Sequence, residues 1–121
     1  MKRNIKFRGY DKDNETMYYS NSDFHFKSRF RVCDIKNAPF ELNELMQFTG
    51  LQDKNGVDIY QGDIVNGNSF LGEYLKYEVI YNEEYGCYQL RSLQEKPLAF
   101  PIKSFLKNLE VIGNICEKNK L

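Results

Sequence analysis

The sequence predicts a mainly β protein with one or two short helices. Three observations carry that expectation. β-branched and aromatic residues recur in short runs, turn-forming Gly, Asn and Asp residues separate those runs, and only one stretch changes clearly to helical spacing. Nine Phe and nine Tyr among 121 residues mean that aromatics supply much of the core. A chain of this length buries roughly 65% of its unfolded surface, so a core can form without metal or disulfide.

The elements follow in order. Ile5-Lys6-Phe7-Arg8 alternates apolar and basic residues and reads as a strand. Asp11-Lys12-Asp13-Asn14 turns the chain, and Met17-Tyr18-Tyr19 returns it, completing a hairpin. Phe24 to Val32 gives the cleanest alternation in the sequence. As one extended strand it places Phe24, Phe26, Ser28, Phe30 and Val32 on one face and His25, Lys27, Arg29 and Arg31 on the other. Residues 41–48 change the period: Leu42, Leu45 and Met46 fall at i, i+3 and i+4, Pro39 lies near the expected first turn, and Gly50 can cap the end. This stretch is expected to be a short helix.

Beyond it, Asp53-Lys54-Asn55-Gly56 is a turn built on Asn-Gly. Gly62-Asp63-Ile64-Val65 opens a strand after a glycine that permits a sharp bend. Tyr74 to Tyr81 is a long strand, Asn82-Glu83-Glu84-Tyr85-Gly86 turns it, and Cys87 to Arg91 runs back. Pro97 and Pro101 mark a loop, residues 102–106 allow one helical turn, and 110–115 form a closing strand. That order fits an SH3-like small β-barrel, which removes sheet edges by curling the sheet on itself. The chain is therefore expected to be a single domain. An N-terminal lobe of about residues 1–50 holds a β-hairpin, a strand and the short helix, and a barrel-like lobe follows at about 51–121. A faint internal repeat relates Phe7-x-Gly9 and its following turn to Phe48-x-Gly50 and its turn, with Met17-Tyr18 and Ile59-Tyr60 as the returning pairs. Shared turn chemistry accounts for it almost as well as duplication.

Several chemistries find no support. One histidine and three dispersed cysteines, Cys33, Cys87 and Cys116, lack zinc-ligand spacing, so reduced structural thiols and no metal or cofactor are expected. Asp53-x-Asn55-Gly56-x-Asp58 departs from a calcium loop, because its glycine comes early and Ile64 stands where the bidentate Glu belongs. No phosphate-loop glycine pattern occurs. His25 has cations for neighbours, and no nucleophile is placed beside it by the sequence pattern. The expectation is a protein that is not an enzyme. A 28% charged composition without a long apolar run excludes a helical membrane span, and Met1-Lys2-Arg3-Asn4-Ile5 lacks the apolar core of a signal peptide. A cytoplasmic setting is expected.

The net charge is zero but unevenly spread. Residues 1–40 carry nine Lys/Arg against five Asp/Glu, a net of +4; residues 41–121 carry eight against twelve, a net of −4. Such a split suits head-to-tail or lobe-to-lobe self-association, or a small local anion patch, better than blanket polyanion binding, which needs many phosphate contacts. His25, Lys27, Arg29 and Arg31 are the candidate contact face. At about 7 Å intervals along one strand they approach the phosphate spacing of an extended nucleic acid. They equally fit an edge strand guarded against sheet-to-sheet pairing, or a docking surface for the acidic half of another subunit.

Ile5-Lys6-Phe7-Arg8, the run Leu45-Met46-Gln47-Phe48-Thr49-Gly50-Leu51-Gln52-Asp53-Lys54-Asn55-Gly56, Ile59-Tyr60-Gln61-Gly62-Asp63-Ile64-Val65 and Val111-Ile112-Gly113-Asn114-Ile115 resemble the YopX family. The resemblance implies a mostly β protein of bacteriophage or prophage origin working in a bacterial cytoplasm, and it brings no catalytic residue. Taken together, the expected role is that of a phage or prophage accessory protein. It would act non-enzymatically through protein–protein association, as a homo-oligomer or with a phage or host protein. The alternative is a nucleic-acid-binding module of phage replication or regulation that uses the basic segment 25–31.

Overall fold

The structure, a computed structural model, describes residues 5–20, 24–28, 31–34, 39–40, 44–68, 74–93, 99–102 and 108–117. Twelve strands follow one another among them: β1 (Phe7–Asp11), β2 (Thr16–Tyr19), β3 (Phe24–Ser28), β4 (Arg31–Asp34), β5 (Pro39–Phe40), β6 (Glu44–Gln52), β7 (Asp58–Tyr60), β8 (Asp63–Asn68), β9 (Tyr74–Asn82), β10 (Cys87–Ser92), β11 (Ala99–Pro101) and β12 (Glu110–Asn114). The mainly β expectation holds. The chain divides into two compact units, Met1–Phe48 and Thr49–Leu121.

In the first unit β1 pairs antiparallel with β2 on one side and β6 on the other. Arg8, Gly9 and Tyr10 are buried on β1, with Met46 and Phe48 on β6. Arg8 lies opposite Met46 and donates from Nη2 to its Sδ at 3.7 Å. Lys6 places its ammonium 4.5 Å from the Phe48 ring centroid, a cation–π contact. A second sheet of this unit runs β3-β4-β5.

Two expectations are corrected here. Residues 44–48 of the expected helix belong to β6, while 41–43 lie outside the described residues. The short apolar run fits either period. Pairing with β1 decides it, since Met46 and Phe48 then point inward while Leu45 and Gln47 face solvent. Gly50 does take a positive φ of 88°, but inside a strand rather than as a helix cap. The single strand expected from Phe24 to Val32 is two strands. β3 and β4 run antiparallel with His25 opposite Cys33, Phe26 opposite Val32 and Ser28 opposite Arg31.

The second unit takes over the far half of β6. There Thr49 Oγ1 donates to the Ile59 carbonyl of β7 at 2.7 Å, and Gln52 Nε2 donates to Asp58 Oδ1 at 3.0 Å. Its main sheet has the order β11-β10-β9-β8-β12, antiparallel throughout. The last strand returns beside the first, an order compatible with the SH3-like barrel expected from the sequence. Ile102 and Asn108 carry 3₁₀ backbone, and residues 103–107 of the expected helical turn lie outside the described residues. Ala99–Pro101, expected as loop, pairs with β10 as an edge strand, the place where a proline costs no ladder bond. The core gathers Ile59, Val65, Tyr77, Val79, Leu90, Ile102 and Leu109. Gly67 lets β8 approach closely: a Cβ there would stand 2.9 Å from Leu109 Cδ2.

Short polar side chains fix the chain reversals. Asp53 is 7% exposed; its Oδ1 accepts from Asn55 and Val57 N–H at 2.8 and 2.9 Å, and its Oδ2 accepts from Val111 N–H at 2.9 Å. One carboxylate thus ties the turn before β7 to the last strand, so the motif that superficially resembled a calcium loop is a structural turn. Asp63 Oδ2 accepts from Tyr60 N–H at 2.7 Å, and Asn114 Oδ1 accepts from Cys116 and Glu117 N–H. Among the described residues no helix is long and apolar enough to cross a membrane.

Candidate interaction surface

The end of the β9–β10 hairpin is the most exposed aromatic feature among the described residues. Asn82 and Cys87 are register partners, so residues 83–86 form the connection. Asn82 Oδ1 accepts from Glu84 and Tyr85 N–H at 3.0 and 3.3 Å, and its Nδ2 donates to Gln89 Oε1 at 3.1 Å. Gly86 N–H donates to the Asn82 carbonyl at 2.8 Å, and Gly86 closes the turn at φ 64°, which a residue lacking Cβ adopts without strain. Asn82 thus accepts three backbone N–H groups of this connection, whose residues 83–86 are all exposed.

Its side chains are Glu83, Glu84 and Tyr85. Both glutamates are exposed, and Tyr85 is 71% exposed. Behind them Tyr81, 43% exposed, lies against Tyr88 with ring centroids 5.0 Å apart and planes tilted by 49°. Burial, then the neighbouring Tyr81, pushes the Tyr88 hydroxyl above the ordinary tyrosine range, so it stays a neutral hydrogen-bonding phenol at physiological pH. Lower on the same strands Glu78 is held by Arg91 at 2.7 Å. No Lys or Arg lies between Tyr77 and Leu90. The result is a rigid hairpin end with aromatic faces and two carboxylates. Such groups suit ammonium and guanidinium partners through cation–π contact and charge-assisted hydrogen bonds.

The basic residues singled out in the sequence fall elsewhere. His25 and Lys27 are on β3, Arg31 opens β4, and Arg29 lies outside the described residues. Their even spacing along one extended strand is replaced by the end of a hairpin, where Ser28 stands opposite Arg31. Sequence reasoning had the Asn82–Gly86 turn but passed over its tyrosines. The usable signal was Tyr85 placed between an Asn and a Gly, a position that a four-residue connection leaves pointing outward. Cys87 and Cys116 are free thiols, and no group of three or more His, Cys, Asp or Glu among the described residues could hold a metal ion.

Fold and surface define a small all-β protein of two units with a tyrosine-bearing hairpin end. The chain belongs to the YopX family, described as YopX protein, which it matches over residues 6–121. It is also similar to the crystal structure of protein EF1440 from Enterococcus faecalis. The two are 27% identical, with a TM-score of 0.62 over 98% of this chain and 97% of that one. No curated protein matches it.

Proposed function

We propose that this YopX-family protein is a bacteriophage or prophage accessory protein of the bacterial cytoplasm that acts without catalysis, through protein–protein association, and forms a homo-oligomer. The observation that carries the reading is the β9–β10 hairpin end, where Tyr85 is 71% exposed and Tyr81 43% exposed on a fixed turn. Tyrosine combines a large contact area with a polar tip and few rotatable bonds, which is why it is enriched where proteins meet. A preformed end also loses little conformational entropy on binding. Family membership supports the phage setting. The test is absolute mass by light scattering on untagged protein at low and high salt. A defined species heavier than the 14.3 kDa chain is expected at low salt. A monomer at both salts, at every concentration examined up to the solubility limit, refutes the homo-oligomer.

A further inference from the structure

We propose that Asn55-Gly56 is a self-modifying site, where the Asn55 carboxamide is lost by spontaneous deamidation and the isoaspartate that replaces it loosens the turn before β7. The second Asn-Gly pair of the chain, Asn66-Gly67, is protected by the fold. This chemistry is independent of how the protein associates.

Both reacting groups belong to the chain itself. The Gly56 amide nitrogen gives up its proton and attacks Asn55 Cγ, and the side-chain nitrogen leaves as ammonia while the new C–N bond closes a succinimide ring. Water then opens the ring at either carbonyl. One opening gives aspartate; the other gives isoaspartate, in which the main chain runs through the side-chain carbon. No electron is transferred, and water is the only co-reactant. A following glycine favours closure because it has no Cβ to crowd the ring.

The two pairs have opposite surroundings. Asn55 and Gly56 are exposed in the connection between β6 and β7, and nothing lies within 4 Å of where a Gly56 Cβ would stand. Among the described residues the Asn55 carboxamide has no hydrogen-bond partner. Gly56 N–H donates to the Asp53 carbonyl at 3.1 Å, a bond that local fraying of an exposed turn releases. Asn66 and Gly67 instead lie in β8, between β9 and β12. Asn66 is in register with Lys76 on one side and Glu110 on the other, and Gly67 with Leu75. Gly67 is buried, with Leu109 Cδ2 2.9 Å from its Cβ position, so ring closure there requires the sheet to open.

The product acts on the fold through Asp53. Its Oδ1 accepts from Asn55 and Val57 N–H at 2.8 and 2.9 Å. An isoaspartyl link puts an extra main-chain carbon between those two donors and adds a carboxylate close in sequence to that of Asp53. Geometry and charge then both oppose the turn.

The experiment ages the full-length wild type at mildly alkaline pH. Peptide mapping by mass spectrometry, with methylation by an L-isoaspartyl methyltransferase, locates the product. In the folded chain isoaspartate is expected at 55 at least about tenfold faster than at 66, and in urea at comparable rates, because the ladder around Asn66 is gone. Aged wild type should melt at a lower temperature than fresh wild type, whereas aged Asn55→Gln should melt like fresh Asn55→Gln. Absence of product at 55, equal rates at the two sites in the folded chain, or a difference that persists in urea overturns the proposal. So does a chain converted at 55 that melts like fresh protein, or an equal fall in melting temperature for Asn55→Gln.

Discussion

Replacing Asp53 by Asn removes one acceptor from a carboxylate that joins two parts of the second unit. Asp53 is 7% exposed and accepts three backbone N–H groups, from Asn55, Val57 and Val111, at 2.8, 2.9 and 2.9 Å. In the Asn variant the amide oxygen can keep Asn55 and Val57, but the amide nitrogen then faces the Val111 N–H, donor against donor. The loss is one charge-assisted hydrogen bond and one unsatisfied backbone donor, together about 2–4 kcal/mol at neutral pH. For a chain of this size that lowers the melting temperature by roughly 6–16 °C. The pH dependence separates this cause from a general packing defect. Burial raises the Asp53 pKa, but the three N–H groups and Lys54 outweigh it, so the carboxyl titrates below 3.8 in the fold. A depressed carboxyl contributes stability that is fully present above its unfolded pKa and is lost as pH falls through its folded pKa. Urea unfolding of wild type and Asp53→Asn should therefore differ most above about pH 5, begin to approach near the unfolded carboxyl pKa of about 3.9, and converge only as pH falls through the lower folded pKa. A difference that stays constant from neutral pH to strong acid would refute the argument, as would a variant as stable as wild type at pH 7.

Two further substitutions test the backbone. Gly67→Ala places a Cβ 2.9 Å from Leu109 Cδ2, and Leu109 is wholly buried, so the core must shift; a loss of about 1–3 kcal/mol in urea unfolding is expected. Glu15 carries φ 51° at the last position of the β1–β2 connection, where Gly86 serves β9–β10 at 64°. Glu15→Gly should raise stability by roughly 0.5–1 kcal/mol in the same assay, since relief of left-handed strain exceeds the added chain entropy.

Legibility in the sequence tracked local chemistry. β1–β2, β8, β9–β10 and β12 were readable because alternation is bounded at their ends by Asp11, Gly62, Asn82 and Asn114, side chains or backbones that fix a reversal. β6 was not, because residues 44–48 satisfy helical and extended spacing alike, and only the partner strand β1 chooses between them. The break between β3 and β4 was hidden for another reason. Ser28-Arg29-Phe30-Arg31 contains no Gly, Pro, Asn or Asp, and Ser28 is small enough to pass for a member of an apolar face. The basic residues were thus noticed while their arrangement was missed. At the hairpin end the turn was legible, but Tyr81 shares the face of buried Tyr77 and Val79, so its exposure depends on how far along β9 the core extends, a tertiary fact.

The β1–β2 and β9–β10 connections share one turn geometry and differ in the side chains they expose. Both have four residues between register partners. Both open with a short side chain whose Oδ1 accepts from the second and third following N–H groups, at 3.0 and 3.3 Å in each case. Both close on a positive φ. Folding therefore constrains the residue before the connection and its last position, and leaves the three between to other demands. In β1–β2 those three are Lys12, Asp13 and Asn14, an exposed polar set of mixed sign. In β9–β10 they are Glu83, Glu84 and Tyr85, uniformly acidic and aromatic. One backbone solution with two unlike fillings means that turn stability does not dictate the second filling. An exposed tyrosine contributes little to the fold and much to a contact, which is why the proposed association is placed at this end.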